Sequence, residues 1–252
     1  MAISATTGRT INNAVAGTSL VFAATTTTTG QAIVLAVAIL DTTKSVSSVV
    51  ASPSGSVFTL KTAQNNGSAV RLELWECQSI TGNAADVITV NFSGSTLASG
   101  AWEAYSGSTA LGNIGTASTG TGFEPQSSVT TQDNGSFAVA GIAIASSSGD
   151  TFTAALGTIR QSLVPALTTA GVALIDNTTS YISSLRNQAL LNNSRAWVST
   201  GLELRTGVSP NGVSTGTFKI LTNIAKGSTH QVVKNAVDNA NGQAVKNFGA
   251  FS

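Results

Sequence analysis

The sequence predicts an all-β fold: an antiparallel two-sheet β-sandwich, jelly-roll-like, followed by a C-terminal extension. Three observations carry this. Apolar side chains recur at every second position in segment after segment, the period of a strand. These segments arrive at roughly ten-residue spacing, separated by turn signals such as Pro53-Ser54-Gly55, Asn66-Gly67 and Asp133-Asn134-Gly135. The helical segments that a parallel α/β fold places between strands are missing.

Residues 1–17 are polar and weakly patterned, an N-terminal arm or a first edge strand, and residues 18–206 hold the sandwich. Thr18 to Ala24 is a short strand. Gly30 to Leu40, GQAIVLAVAIL, is the central one: Ile33, Leu35, Val37 and Ile39 share one face, while Ala32, Val34, Ala36 and Ala38 share the other. A strand apolar on both faces is covered on both sides. Strands follow at Ser45 to Ala51 and at Ser56 to Thr62, where Phe58 and Leu60 share a face. Asn66-Gly67 is a favoured hairpin pair, returning the chain through Ser68 to Cys77 with Val70, Leu72 and Leu74 inward and Arg71, Glu73 and Trp75 outward. Asp86 to Ser93 and Ser99 to Ser106 complete the first half. Gly107 to Glu124 is rich in Gly, Ser and Thr and reads as a long connection.

The second half repeats the style. Ser127 to Gln132 precedes Ser136 to Ala145, SFAVAGIAIA, a second doubly apolar strand like Gly30 to Leu40, which hints at duplication. Phe152 to Leu167 is ambiguous, and Pro165 argues against a central strand there. Thr169 to Ile175 and Ser180 to Leu185 are weaker strands, and Ser194 to Thr206 closes the domain. Residues 207–252 form the extension. Within it Thr229 to Ala240 has the spacing of a short amphipathic helix.

Of 252 residues, 42% are hydrophobic, enough for a core, but only 9% are charged, far below the usual quarter. Ser, Thr, Asn, Gln and Gly must therefore provide the surface, a composition that suits proteins whose large faces meet other protein. The formal net charge of +1 makes no case for nucleic acid or an anionic membrane as partner. Lys219, Lys226, Lys234 and Lys246 nonetheless concentrate in the extension, where Asp238 is the only acid. With Phe248 and Phe251 they form the candidate partner-binding set, a basic tail able to dock on an acidic neighbour or simply to stay solvated. Cys77 is the only cysteine, so no intrachain disulfide exists. The N-terminus lacks the pattern of a secretory signal, and no apolar run is long enough to cross a bilayer as a helix. Synthesis in a host cytoplasm without a signal peptide is expected.

No catalytic residue set emerges. A Ser-His-Asp triad needs a histidine in the domain, and the only one, His230, is in the extension. Clustered zinc ligands, a phosphate loop and a dinucleotide fingerprint are all missing, so neither metal nor cofactor is expected. Glycosidases need paired carboxylates. Glu73 and Glu103 alternate with apolar neighbours and read as strand residues facing away from the core, paired across strands with arginines. Trp102, Glu103 and Tyr105 together make the alternative site, an aromatic pair flanking a carboxylate that would grip a surface glycan.

The succession GQAIVLAVAIL, RLELWEC, VITVNFS, AWEAYSG and RAWVSTGLELR resembles β-sandwich domains of tailed-phage virion proteins over about Thr18 to Thr206. The resemblance implies a non-enzymatic structural protein of the particle: a capsid decoration (cement) protein, head fibre or tail component. Its partners would be other virion proteins, the major capsid protein or tail proteins, with homo-oligomers expected. A carbohydrate- or receptor-binding adhesin is the alternative, and a sandwich hydrolase a third reading.

Overall fold

Strand β3 (Ala32–Ile39) is buried at every residue, and its two faces meet different sheets. The computed structural model describes residues 2–166 and 169–207, with the backbone of 237–238 and 243–244. With β1 (Ser4–Asn12), β5 (Thr59–Asn66), β6 (Val70–Cys77) and β8 (Ala98–Ser106), β3 forms an antiparallel five-stranded sheet of order β1-β8-β3-β6-β5. The bulky face of β3, Ile33, Leu35, Val37 and Ile39, packs against a three-stranded sheet made of β2 (Gly17–Val21), β7 (Val87–Thr96) and β4 (Val46–Ser52). Leu20, Phe22, Val49, Ile88 and Val90 supply the other side of that core, and Phe22 meets Trp102 edge-on at 6.5 Å.

The second half repeats this plan strand for strand. Its first strand is split into β9 (Ala110–Ile114) and β10 (Ser118–Gly122), both paired with β17 (Arg195–Arg205). The five-stranded path continues through β12 (Phe137–Ser146) and β15 (Thr169–Thr178) to β14 (Thr158–Leu163), in the order β10-β17-β12-β15-β14. A three-stranded sheet, β11-β16-β13, is built from β11 (Gln126–Thr130), β16 (Ser184–Leu191) and β13 (Phe152–Leu156). Numbered within each half, both have strands 1-8-3-6-5 in the large sheet and 2-7-4 in the small one.

The two five-stranded sheets pack face to face, and here the methyl-sized side of β3 finds its partner. Ala32, Val34, Ala36 and Ala38 share one core with Val139, Ala143, Val172, Leu174 and Leu202 from the second half. Tyr105 and Phe137 meet across it edge-on at 6.0 Å. The closest approach is at Gly141, where an added Cβ would lie 2.6 Å from Leu74 Cδ1 and 3.1 Å from the Ala36 Cβ. A third core, with Ile142, Ile144, Ile175 and Leu191, lies under the small sheet of the second half. The order of layers is therefore three, five, six and three strands, the six counting both pieces of the split first strand, β9 and β10.

Met1–Gly207 clusters as one unit and Val208–Ser252 as another. Several expectations change. The residues read as an arm or first edge strand are the edge strand β1, paired with β8 from Ser4 to Asn12. The supposed connection Gly107 to Glu124 contains β9 and β10. Four stacked sheets take the place of two. Leu60 does not point inward with Phe58: Phe58 is buried, whereas Leu60, on the edge strand β5, is 41% exposed. The expected helix from Thr229 to Ala240 lies outside the described residues except at β18 (Val237–Asp238), which pairs antiparallel with β19 (Gln243–Ala244) and so is strand.

Candidate functional site

The proposed glycan residues are all on β8, and all are buried: Trp102 is 1% exposed, Glu103 4% and Tyr105 0%. Trp102 faces the small-sheet core while Tyr105 faces the opposite five-stranded sheet. They share no surface on which a sugar ring could stack. The carboxylates considered for hydrolysis are likewise separated. Glu73 lies on the small-sheet side of β6, beside β4, and Glu103 lies between the large sheets. Neither faces solvent as the alternation suggested, because both faces of this sheet are covered.

Glu103 instead belongs to a buried polar seam. Gln161 Nε2 on β14 donates to Glu103 Oε2 at 2.8 Å, which ties the first half to the second. One residue along β14, Arg160 Nε donates to Asp176 Oδ2 on β15 at 2.7 Å, and the Tyr105 hydroxyl lies beside the same carboxylate. Burial pushes the Glu103 and Asp176 carboxyls above their ordinary range, against the opposing pull of Gln161 and Arg160. Burial and the nearby Asp176 charge push the Tyr105 phenol up strongly. Gly8 on β1 admits this seam: an added Cβ would lie 2.2 Å from Glu103 Oε2 and 2.4 Å from the Trp102 carbonyl.

The remaining buried acids fasten strands and loops. Glu73 accepts from Arg71 Nε at 2.7 Å, Trp75 Nε1 at 3.0 Å and the Val46 amide at 3.2 Å, anchoring the start of β4 to β6. Glu203 accepts the Asn113 and Gln132 amides at 3.1 and 2.6 Å. Arg205 grips Asp133 through two nitrogens, and Arg195 grips Asp150 in the same way. Such forked, charge-assisted contacts fix geometry. They are filled by partners from the chain itself, and none converges on an open cleft. Among the described residues no group of three His, Cys, Asp or Glu is placed to hold a metal ion.

A shallow groove of about 360 Å³ opens outward beside β4, lined by Ser47 to Ala51, by Gly55 to Phe58 and by Trp75. Val50 and Val57, 46% and 77% exposed, rim it. β4 is the edge of its sheet, and among the described residues beyond it Val57 forms a bridge to Val50. The sequence marked neither the groove nor the edge. Its available signal was the uncharged stretch VSSVVAS ahead of Pro53-Ser54-Gly55. Lys219, Lys226, Lys234, Lys246, Phe248 and Phe251 lie outside the described residues. Comparison of the chain with protein-family models, with curated proteins and with solved structures finds no match.

Proposed function

We propose that the chain is a non-enzymatic structural protein of a phage particle, a capsid decoration protein or head fibre. It would work by binding neighbouring subunits through sheet edges and its basic C-terminal extension. On this reading the described body is a tandem of two jelly-roll-like sandwiches, the sheet plan that viral coats use. The observation that carries it is the outer sheet β2-β7-β4. None of its strands contains a charged residue, and it presents Val21 and Val50 among Ser, Thr and Asn to the outside. A broad, uncharged, hydroxyl-lined face is suited to contact with protein.

The extension supplies the anchor in this account, so it provides the test. A chain lacking Gly212 to Ser252 should give the same melting transition for its body and be lost from purified particles, scored by immunoblot against the intact chain. A truncated chain that occupies particles as fully as the intact one would contradict the anchoring role.

A further inference from the structure

We infer that β4 is a self-pairing edge. Two copies of the chain join antiparallel along Ser47 to Val49, so that two β2-β7-β4 sheets become one continuous six-stranded sheet about a two-fold axis. This rests on the assembly reading above and names its partner: a second copy.

The argument begins with how edges are protected. An exposed strand edge is a template for another strand unless a charge, a proline or a covering segment blunts it. Among the described residues up to Gly207, the other long edge strands each carry a basic residue: Arg9 in nine-residue β1, Lys61 in eight-residue β5, Arg160 in six-residue β14. The uncharged edges β2, β9, β10, β11 and β13 are five residues each. Strand β4 is the exception, with seven residues, VSSVVAS, and no charge or proline; its one irregularity is the register shift between Val46 and Ser48, at its start.

The local geometry leaves that edge open where it is needed. The chain's own Val57 crosses β4 at Val50 and then departs to the five-stranded sheet as β5. The groove beside Ser47, Ser48 and Val49 is what remains, with Phe58 and Trp75 in its wall. Beneath it, the Val46 amide is spent on Glu73, which holds the start of the strand in place and leaves the pairing to the residues that follow. A second β4 suits this edge because it too is uncharged. Antiparallel pairing about a two-fold sets Ser against Ser or Val with no like charge opposed, and the same patch serves both subunits. The exposed Val50 and Val57 of each copy then flank the joint on the outer face.

The test uses the full chain. Sedimentation equilibrium should show a dimer, and hydrogen exchange of the unaltered protein should show the Ser47 to Val49 amides that point away from β7 gaining protection as concentration rises. Ser47 is exposed, so Ser47→Lys and Ser47→Glu each place like charges across the joint and should weaken the dimer by about tenfold or more. Mixing the two variants should restore a heterodimer in native mass spectrometry. A monomeric parent, a dimer indifferent to Ser47→Lys, variants that stay folded yet do not rescue one another, or edge amides insensitive to concentration would each overturn the pairing. A monomer that is still retained on particles would remove this inference and leave the assembly reading standing. A β4 dimer that joins no particle would do the reverse.

Discussion

Glu103 and Asp176 face each other's strands across the seam between the large sheets, with Arg160 as the one guanidinium among them and Gln161 as the neutral tie. Burial holds both carboxyls above their ordinary range. A carboxyl whose folded pKa exceeds its unfolded value, near 4.3 for Glu and 3.9 for Asp, favours the folded state more once protonated. The stability these groups contribute is therefore present below the unfolded values and is lost as pH rises through the folded ones. The melting temperature should therefore rise as pH is lowered from neutrality toward those unfolded values. Glu103→Gln keeps an oxygen for Gln161 and should flatten that slope while raising stability at neutral pH; an unchanged slope in the variant would assign it elsewhere. Asp133 acts in the opposite direction. Hydrogen bonding from Arg205 holds its carboxyl low, so its contribution disappears only as pH falls below the ordinary carboxylate range. Burial pushes Asp150 up, but Arg195, Ser147 and Asn193 together outweigh it and its carboxyl is also lowered.

At the scale of the element, β3 and β12 decide how closely the large sheets approach. Gly141 faces Ala36 and Leu74, and an added Cβ would fall 3.1 Å from the Ala36 Cβ, which the backbone holds in place. Gly141→Ala should lower stability by about 1–3 kcal/mol, the usual result of overpacking a filled core, read as a shift in denaturant midpoint. A neutral result would show that the sheets have room to part. The turn at Asn66 adds a polar tie, its Nδ2 donating to the Gly120 and Trp197 carbonyls at 2.7 and 3.0 Å. Much of β3 was legible in the sequence, because period two sorts its residues into a bulky and a methyl face. What lies above each face was not, since two apolar faces call for cover on both sides without saying which strands supply it, and a polar residue alternating with apolar ones gives no sign that its own side is covered. That is why Glu73 and Glu103 read as solvent-facing. β9 and β10 were missed for a related reason: ALGNI and STGTG hold few large apolar groups, and they are strands because β17 offers them an edge. In the ambiguous stretch from Phe152, Gly157 sits between β13 and β14 with φ of 95° and turns the chain from the small sheet to the large one.

For the whole molecule, the repeated strand order explains why two doubly apolar strands occur in one chain. β3 and β12 are the third strands of equivalent halves, and each is covered twice, once by its own small sheet and once by the other half. Low charge follows from the same layering, because four stacked sheets place many strand faces inside and leave few positions where charge is free of cost. The proposed contact edge was the least legible part: an open edge is a property of neighbours, which the seven residues of β4 do not encode by themselves. The central claim, that the methyl face of β3 meets the second half while its bulky face meets β2-β7-β4, is tested most directly by methyl NMR. The account predicts nuclear Overhauser contacts from the Ala36 methyl to Gly141 and Leu74, and from the Leu35 and Val37 methyls to small-sheet residues such as Val90. Contacts from Ala36 to Val90 in place of Gly141 would contradict it.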